Sequence, residues 1–410
     1  MKIKKINENI KIIQTRKYKD INVFLRFSIP YTLEDRAACL VLSKMLGEES
    51  SKYPSKLEMT RAKDLLYGIS CNASCKARAN ILTFNVNYTF INPKFLDVEL
   101  DEYLDFVDET LYHPIIDDKN VEEAILIITS MLIRRMERPQ ALANEAVINK
   151  ISKDNPAFEV YSNNMKLIGA INRVTTADVE KVYKRLIEKA QLDVYLCGDL
   201  DKKIIKHFNF DFSKRNKITI KSKKFNYKHH NYSNKFNDGK QSNLEIVYTT
   251  PFNKHHKDYY AFIMGNHFLG QLPTSLLFEN VREKLSLCYA IGISDNKYEG
   301  IVIVATAIDG KKRKVVEKEV NKQIDNIIKQ NYDLNKFEIS KTLFINKLQL
   351  IGDDFNDCID LDYENKLAQL DVDVDEYISR IKKVTPDDLS RVFKQYKHYF
   401  TFMLEGKDND

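Results

Sequence analysis

Residues 171–184 read INRVTTADVEKVYK, and residues 381–394 read IKKVTPDDLSRVFK. The two segments lie 210 positions apart, and the second repeats Ile171, Val174, Thr175, Asp178, Val182 and Lys184 as Ile381, Val384, Thr385, Asp388, Val392 and Lys394. In each copy a threonine precedes an aspartate by three residues, which is the pattern of a helix N-cap with its capping box. Each helix then runs into an apolar, strand-like segment. The repeat therefore predicts a chain built from two homologous halves.

A second, shorter repeat supports the same division of the chain. Ser55, Leu57 and Leu65 recur 220 positions later as Ser275, Leu277 and Leu285. Between the halves, residues 202–240 contain twelve Lys or Arg and only two acidic residues. This composition is typical of a solvated connector, and an anion-binding patch is the alternative. We predict an N-terminal domain over residues 1–210, a basic linker over 211–241 and a C-terminal domain over 242–410.

Strand and helix patterns alternate in a way that indicates an α+β fold. Apolar residues recur at every second position over residues 82–90 and 301–307, which predicts strands. A helical stripe follows over residues 316–327, and residues 122–136 read as a long helix with an apolar centre. We expect each half to form an antiparallel or mixed sheet with helices packed on one face.

Charge and composition narrow the range of partners and locations. The chain has 410 residues and a net charge of +6, but outside residues 202–240 acidic residues slightly outnumber basic ones. This argues against a nucleic-acid-binding surface spread over the fold. No apolar stretch approaches the ~20 residues that cross a bilayer, and six cysteines are scattered along the chain. We expect a cytoplasmic protein with free thiols and no membrane contact.

Several common kinds of catalytic site have no support in the sequence. There is no Walker A loop, no GxGxxG fingerprint, no GxSxG elbow and no EF-hand loop. The eight histidines include no HxxxH pair that would place two imidazoles on one helical turn. We therefore expect no cofactor.

Residues 269–289, LGQLPTSLLFENVREKLSLCY, carry a longer and more specific pattern. They resemble the LGxxxxSxLFxxVREKxxLxY signature of the second half of insulinase-type (M16) zinc metallopeptidases. Shorter matches follow in the same order along the chain, including Met45-Leu46, Asp64–Gly68, Asn155-Pro156 and Gly198-Asp199. The resemblance implies two homologous α+β domains of the M16, or LuxS/MPP-like, fold, which close around an unfolded peptide.

The zinc site of that family has no counterpart here. Active members carry HxxEH directly before the Met-Leu pair, whereas this chain has Leu40-Val-Leu-Ser43-Lys44. The third ligand, a glutamate further on, aligns with Thr129 or Ser130. Without imidazole ligands or a general base the chain cannot hold zinc as that family does. We predict no metal and no metallopeptidase activity for this chain alone.

Arg282 and Tyr289 match the arginine–tyrosine pair with which that family contacts substrate near the scissile bond. A guanidinium and a phenol can both donate hydrogen bonds to a peptide carbonyl. The alternative is structural: Arg282 pairs with Glu279 or Glu283, and Tyr289 packs on a strand.

Together these features suggest a subunit that does not itself cleave. The resemblance is to the bacterial YfmF-like group, which implies an HxxEH-bearing M16 partner in a heterodimer, a peptide substrate, and a link to the modification of elongation factor P. The alternative is a scaffold or maturation factor with no role in proteolysis. Binding of RNA by the lysine-rich linker is a third, weaker hypothesis.

Overall fold

The computed structural model describes residues 2–221, 227–229, 232–236 and 241–407. Two compact units are present. The first contains residues 1–134, 163–220 and 355–359, and the second contains residues 135–162, 221–354 and 360–410. No helix in the described ranges is both long enough and apolar enough to cross a bilayer.

The first unit contains a six-stranded sheet in the order β1-β2-β6-β3-β5-β4. Most neighbours are antiparallel, and β2 runs parallel to β6. Its strands are β1 (Lys4–Lys5), β2 (Ile10–Gln14), β3 (Asp20–Pro30), β4 (Ser70–Arg78), β5 (Ile81–Ile91) and β6 (Gln191–Gly198).

The second unit contains a five-stranded sheet in the order β7-β11-β8-β10-β9, in which β7 and β11 are parallel. Its strands are β7 (Ser233–Phe236), β8 (Ser242–Thr249), β9 (Cys288–Asp295), β10 (Ile301–Ile308) and β11 (Lys397–Glu405). The two sheets confirm the predicted α+β class.

Helices account for most of the remaining described chain. They are α1 (Leu33–Met45), α2 (Lys56–Leu65), α3 (Leu100–Tyr112), α4 (Asp118–Met136), α5 (Pro139–Asp154), α6 (Met165–Ile171), α7 (Thr176–Glu188), α8 (Lys202–His207), α9 (Tyr259–Asn266), α10 (Arg313–Ile328), α11 (Leu334–Ile351), α12 (Phe355–Leu367), α13 (Val374–Lys382) and α14 (Pro386–Phe393). Short 3₁₀ turns span Pro93–Phe95, Pro156–Tyr161 and Gly310–Lys312, and π-helical segments span His267–Gln271 and Phe278–Lys284.

The repeated sequence forms α7 and α14, and their first turns are built alike. Thr175 accepts a hydrogen bond from the Asp178 backbone N–H at 3.3 Å, and Thr385 accepts one from the Asp388 N–H at 3.2 Å. In turn, each aspartate carboxylate accepts a hydrogen bond from the backbone N–H of its threonine, at 3.0 Å for Asp178 and 2.9 Å for Asp388. Both capping boxes read from the sequence are therefore formed.

The second sheet is covered on both faces. Leu244 and Ile246 of β8 and Val302 of β10 pack with helices on one face. On the other face, α5 and the turn after it pack against a cluster of β-strand residues: Val247, Ile301, Ile303, Tyr399, Phe400, Phe402 and Leu404. This explains why residues 301–304 are apolar at every position, since side chains on both faces of β10 are buried.

The predicted linker is only partly within the described residues. Lys223, Lys224 and Lys240 lie outside them. Within the predicted linker, residues 211–220 belong to the first unit, and residues 232–236 include strand β7 of the second sheet. The domain boundaries at 210 and 241 stay a prediction.

Candidate functional site

The positions that align with the zinc motif lie on α1. This helix begins after Thr32, whose side chain accepts a hydrogen bond from the Asp35 N–H at 3.0 Å. Leu42 is buried in the first core, and Lys44 is exposed. The Ser43 hydroxyl donates to the Leu40 carbonyl at 2.6 Å, so it is used within the helix.

The third-ligand positions, on α4, are equally unsuited to a metal. Thr129 is buried and donates its hydroxyl to the Ile125 carbonyl, while Ser130 is exposed. Glu123, earlier on the same helix, is paired with Lys56. Across the described ranges no group of three His, Cys, Asp or Glu residues could hold a metal ion. The residues at these positions do not fit zinc, which needs three or four nitrogen, sulfur or carboxylate ligands.

Arg282 is positioned by a π-helical segment, Phe278–Lys284, that leads into edge strand β9. Val281 in this segment is fully buried, and its carbonyl accepts a hydrogen bond from the Leu287 N–H at 3.0 Å. Ser286 has φ near +48°, so the chain turns sharply just before the strand. The wider π turn is uncommon in proteins and often occurs at functional sites.

The Arg282 guanidinium lies close to two aromatic rings. Its Cζ atom is 4.3 Å from the centre of the Phe278 ring and 5.5 Å from that of Tyr289. Both distances are within the range of cation–π attraction. The structure therefore brings the two sequence-predicted site residues together.

The ion pair considered as the alternative for Arg282 is not formed within the described part of the chain. Glu279 instead accepts from Lys284 at 2.8 Å and from Lys336 at 2.6 Å. Both hydrogen bonds lower the pKa of the Glu279 carboxyl, and the bond from Lys284 has the larger effect. Among the described residues, no carboxylate therefore pairs with the Arg282 guanidinium.

Tyr289 does not pack on the sheet. Its side chain is 83% exposed, the highest value among the large apolar and aromatic residues of the described chain. It lies at the second position of β9, whose only strand partner in the described sheet is β10. The opposite edge of β9 therefore presents backbone N–H and C=O groups that a further strand could bind.

Phe278 is a residue of this site that the sequence reasoning missed. It precedes Arg282 by four residues and is part of the quoted 269–289 segment. An aromatic residue and an arginine at that spacing share one face of a helix, so the signal was present.

Comparisons with known proteins agree with the fold of two α+β units. The family model described as "Peptidase M16 inactive domain" matches residues 173–344. A crystal structure of a conserved protein from Enterococcus faecalis V583 superposes with a TM-score of 0.84 at 25% identity, covering 98% of this chain and 97% of that one. The peptidase M16 inactive domain structure from Pseudomonas fluorescens gives a TM-score of 0.77 at 12% identity, covering 97% and 96%. The chain is therefore an M16-like protein of two α+β units.

A particular relative extends the resemblance over the whole sequence. The protein named "Probable inactive metalloprotease YmfF" from Bacillus subtilis (strain 168) is 22% identical over 415 residues, covering 97% of this chain and 95% of that protein. This relative supports the resemblance to the metal-free bacterial M16 group that the sequence indicated. Both the family description and the relative's name denote inactive homologues, in agreement with the residues at the zinc positions.

Proposed function

We propose that this chain is a non-catalytic M16-like subunit that binds and positions a peptide for an HxxEH-bearing zinc peptidase partner. The partner would supply the metal, both imidazoles and the general base. This chain would supply Arg282 and Tyr289. The setting suggested by the resemblance is protein or peptide maturation, with a link to elongation factor P modification.

The observation that carries the proposal is the set of contacts around the Arg282 guanidinium. Two aromatic rings hold its guanidinium, and both nearby lysines are bound to Glu279. An arginine held only by rings keeps its N–H donors for a ligand. A peptide carbonyl, or the oxyanion that develops on it during cleavage, is a suitable acceptor.

Edge strand β9 offers a way to hold the peptide backbone. On the side facing β10, Thr306 donates its hydroxyl to the Ala290 carbonyl at 2.7 Å. A peptide added along the other edge would begin beside Tyr289. Binding would then rest on main-chain hydrogen bonds, which give affinity with little sequence preference.

The test begins with a pull-down of the tagged chain from its native cells. An M16 protein containing HxxEH should co-purify in a one-to-one ratio. In the reconstituted pair, Arg282→Ala should lower peptide turnover about tenfold or more, since a charge-assisted hydrogen bond contributes roughly 1.5–3 kcal/mol. Tyr289→Phe should lower turnover less, because the ring that contacts Arg282 is retained.

Glu283→Gln serves as the matched control, since Glu283 is exposed on the same segment. It should leave turnover unchanged, and all three variants should still assemble. Unchanged turnover in Arg282→Ala would remove this residue from the substrate site.

The scaffold alternative predicts different results from the same material. A scaffold would bind a protein partner without needing Arg282, and added peptide would not compete with that partner.

The suggested link to elongation factor P is tested by deleting the gene and measuring the mass of intact elongation factor P by mass spectrometry, because loss of the modification changes the mass.

A further inference from the structure

We propose that the exposed face of α4 is an interface at which two copies of this chain pair, with their α4 helices antiparallel. Such a contact is two-fold symmetric, so the same surface is used on both copies. The inference goes beyond the proposed function, because it concerns copies of this chain and residues other than Arg282 and Tyr289. Two complexes joined in this way would keep the one-to-one ratio expected with an HxxEH-bearing partner.

The inner side of α4 is committed to the core of the first unit. Val121, Ala124 and Ile128 are buried in that core, at the three- and four-residue spacing of one helix face. Thr129, next to Ile128, is also buried. The outward side of such a helix is ordinarily polar.

The outward side of α4 is instead apolar at its centre. Leu126, Ile127, Met131 and Ile133 are each at least 41% exposed, and Leu126 reaches 68%. With the small, exposed Ser130 among them, they form what we call the α4 patch. Single exposed apolar residues need no explanation, but four within eight residues of one helix are typical of a protein interface.

Charges of opposite sign flank the α4 patch. Glu122 lies one helical turn before the patch, and Arg134 directly follows it. Both side chains are exposed, and neither forms an ion pair within the described part of the chain. Glu123, in contrast, is already paired with Lys56. Glu122 and Arg134 are therefore the charges that a docked partner would meet.

An antiparallel copy of α4 complements these charges. The midpoint between Glu122 and Arg134 is position 128, so a pair of helices centred there places Glu122 of each copy opposite Arg134 of the other. The same centre places Leu126 opposite Ser130, so a large side chain meets a small one, as close helix packing requires. A parallel pair would place Glu122 against Glu122 and Arg134 against Arg134, and like charges across an interface are unfavourable.

A second helix with exposed apolar residues lacks this arrangement. α11 exposes Ile339, Leu343 and Leu350. Glu338, at the start of this exposed side, is already paired with Lys341 at 3.0 Å. The acidic half of a complementary pair is thus used within α11, which makes this helix a source of matched controls.

The first test measures the molecular mass of the full chain in low-salt buffer by sedimentation equilibrium. We expect a dimer that dissociates on dilution. Leu126→Asp should weaken dimerisation about tenfold or more, because it buries a charge without a partner. Leu350→Asp, at a residue 65% exposed, should leave the dimer unchanged. Both substitutions are at exposed positions, and thermal unfolding checks that both variants fold.

The second test exchanges the flanking charges. Glu122→Arg and Arg134→Glu should each prevent pairing with an identical copy, because each creates two like-charge contacts. An equimolar mixture of the two variants, carrying different affinity tags, should form a mixed dimer, because each variant offers the charge that the other lacks. Capture of one tag should then recover the other.

A parent chain that stays monomeric at the highest concentration would overturn the proposal. So would a dimer that tolerates Leu126→Asp, or a mixture of the charge variants that stays monomeric. If the parent is monomeric and Leu126→Asp instead loses an HxxEH-bearing partner from the pull-down, the α4 patch belongs to that partner. This last result would overturn self-pairing and leave the proposed function standing.

Discussion

At the scale of single residues, Glu245 carries a carboxyl group that is buried inside a sheet. It lies on β8 between Ala305 of β10 and Phe402 of β11, and it is 1% exposed. Gln140 donates to one oxygen at 3.0 Å, and the other oxygen has no hydrogen-bond partner within the described chain. Burial raises the pKa of this carboxyl to about 8, and the Gln140 hydrogen bond opposes the shift only in part.

The raised pKa predicts a loss of stability with rising pH. Below the unfolded value near 4.5 the group is protonated in both states, so it has no effect. Between that value and about 8 the folded state retains a proton that the unfolded state has lost, and the free energy of unfolding falls. Above about 8 the loss is complete. Glu299, whose pKa burial raises to about 7, contributes to the same slope.

Glu245→Gln should therefore flatten this part of the stability curve. At pH 8 we expect it to raise the free energy of unfolding relative to the parent by an amount on the order of 3 kcal/mol. At pH 4 the two proteins should differ little. Urea unfolding at several pH values measures this, with Glu188→Gln on the surface of α7 as the control. A parallel offset at every pH would contradict the assignment.

Arg215 shows that a residue of the basic linker can be structural. Its guanidinium donates to the carbonyls of Ile187 at 2.6 Å, Ala190 at 3.2 Å and Leu186 at 3.4 Å, at the C-terminal end of α7. The Leu186 and Ile187 carbonyls lie in the last turn of α7, where no later helical N–H follows to bond them, and Ala190 lies just beyond the helix. Composition alone could not distinguish Arg215 from its neighbouring lysines, because the capping contact depends on where α7 ends in space.

We expect Arg215→Ala to lower the free energy of unfolding by roughly 1–3 kcal/mol, since it leaves two carbonyls at the end of α7, and that of Ala190, without a charged donor. Lys214→Ala, one position earlier and exposed, should have almost no effect. Chemical denaturation of both variants provides the comparison. Equal losses of unfolding free energy in the two variants would mean that the charge of the linker, and not the hydrogen bonds to the end of α7, stabilises the fold.

At the scale of secondary-structure elements, the repeated helices α7 and α14 allow one experiment to be done twice. Replacing Thr175 or Thr385 by Val removes the N-cap oxygen while keeping the side-chain shape, and should cost about 1 kcal/mol in each half. Ser at either position should restore most of the loss. Thermal unfolding of the four variants tests this, and an effect in only one half would show that the second capping box is redundant.

Local elements were predictable from sequence because local signals determine them. The alternation at residues 82–90 became β5, and the apolar stripe at 316–327 became α10. The π-helical turn beneath Arg282 was not predicted, because a residue inserted into a helical turn leaves the local apolar pattern nearly unchanged. The geometry of the candidate site depends on that turn and on Gly270, where a Cβ would lie 2.6 Å from Ile293 of β9.

At the scale of the whole molecule, each half of the sequence supplies a segment to the other compact unit. Residues 135–162 precede the linker yet belong to the second unit, and residues 355–359 follow it yet belong to the first. No local pattern encodes this exchange, since an apolar helix face does not specify which sheet will cover it.

The exchange predicts that neither half folds alone. A fragment of residues 221–410 lacks α5, so Val247, Phe400 and Phe402 would lose their apolar cover. We expect fragments 1–220 and 221–410 to be insoluble separately and to co-purify one-to-one when co-expressed. Val147→Asp, on the buried face of α5, should abolish recovery of the second fragment, whereas the exposed Asn144→Asp should not. A soluble 221–410 fragment that unfolds cooperatively by itself would show that its sheet needs no cover from α5.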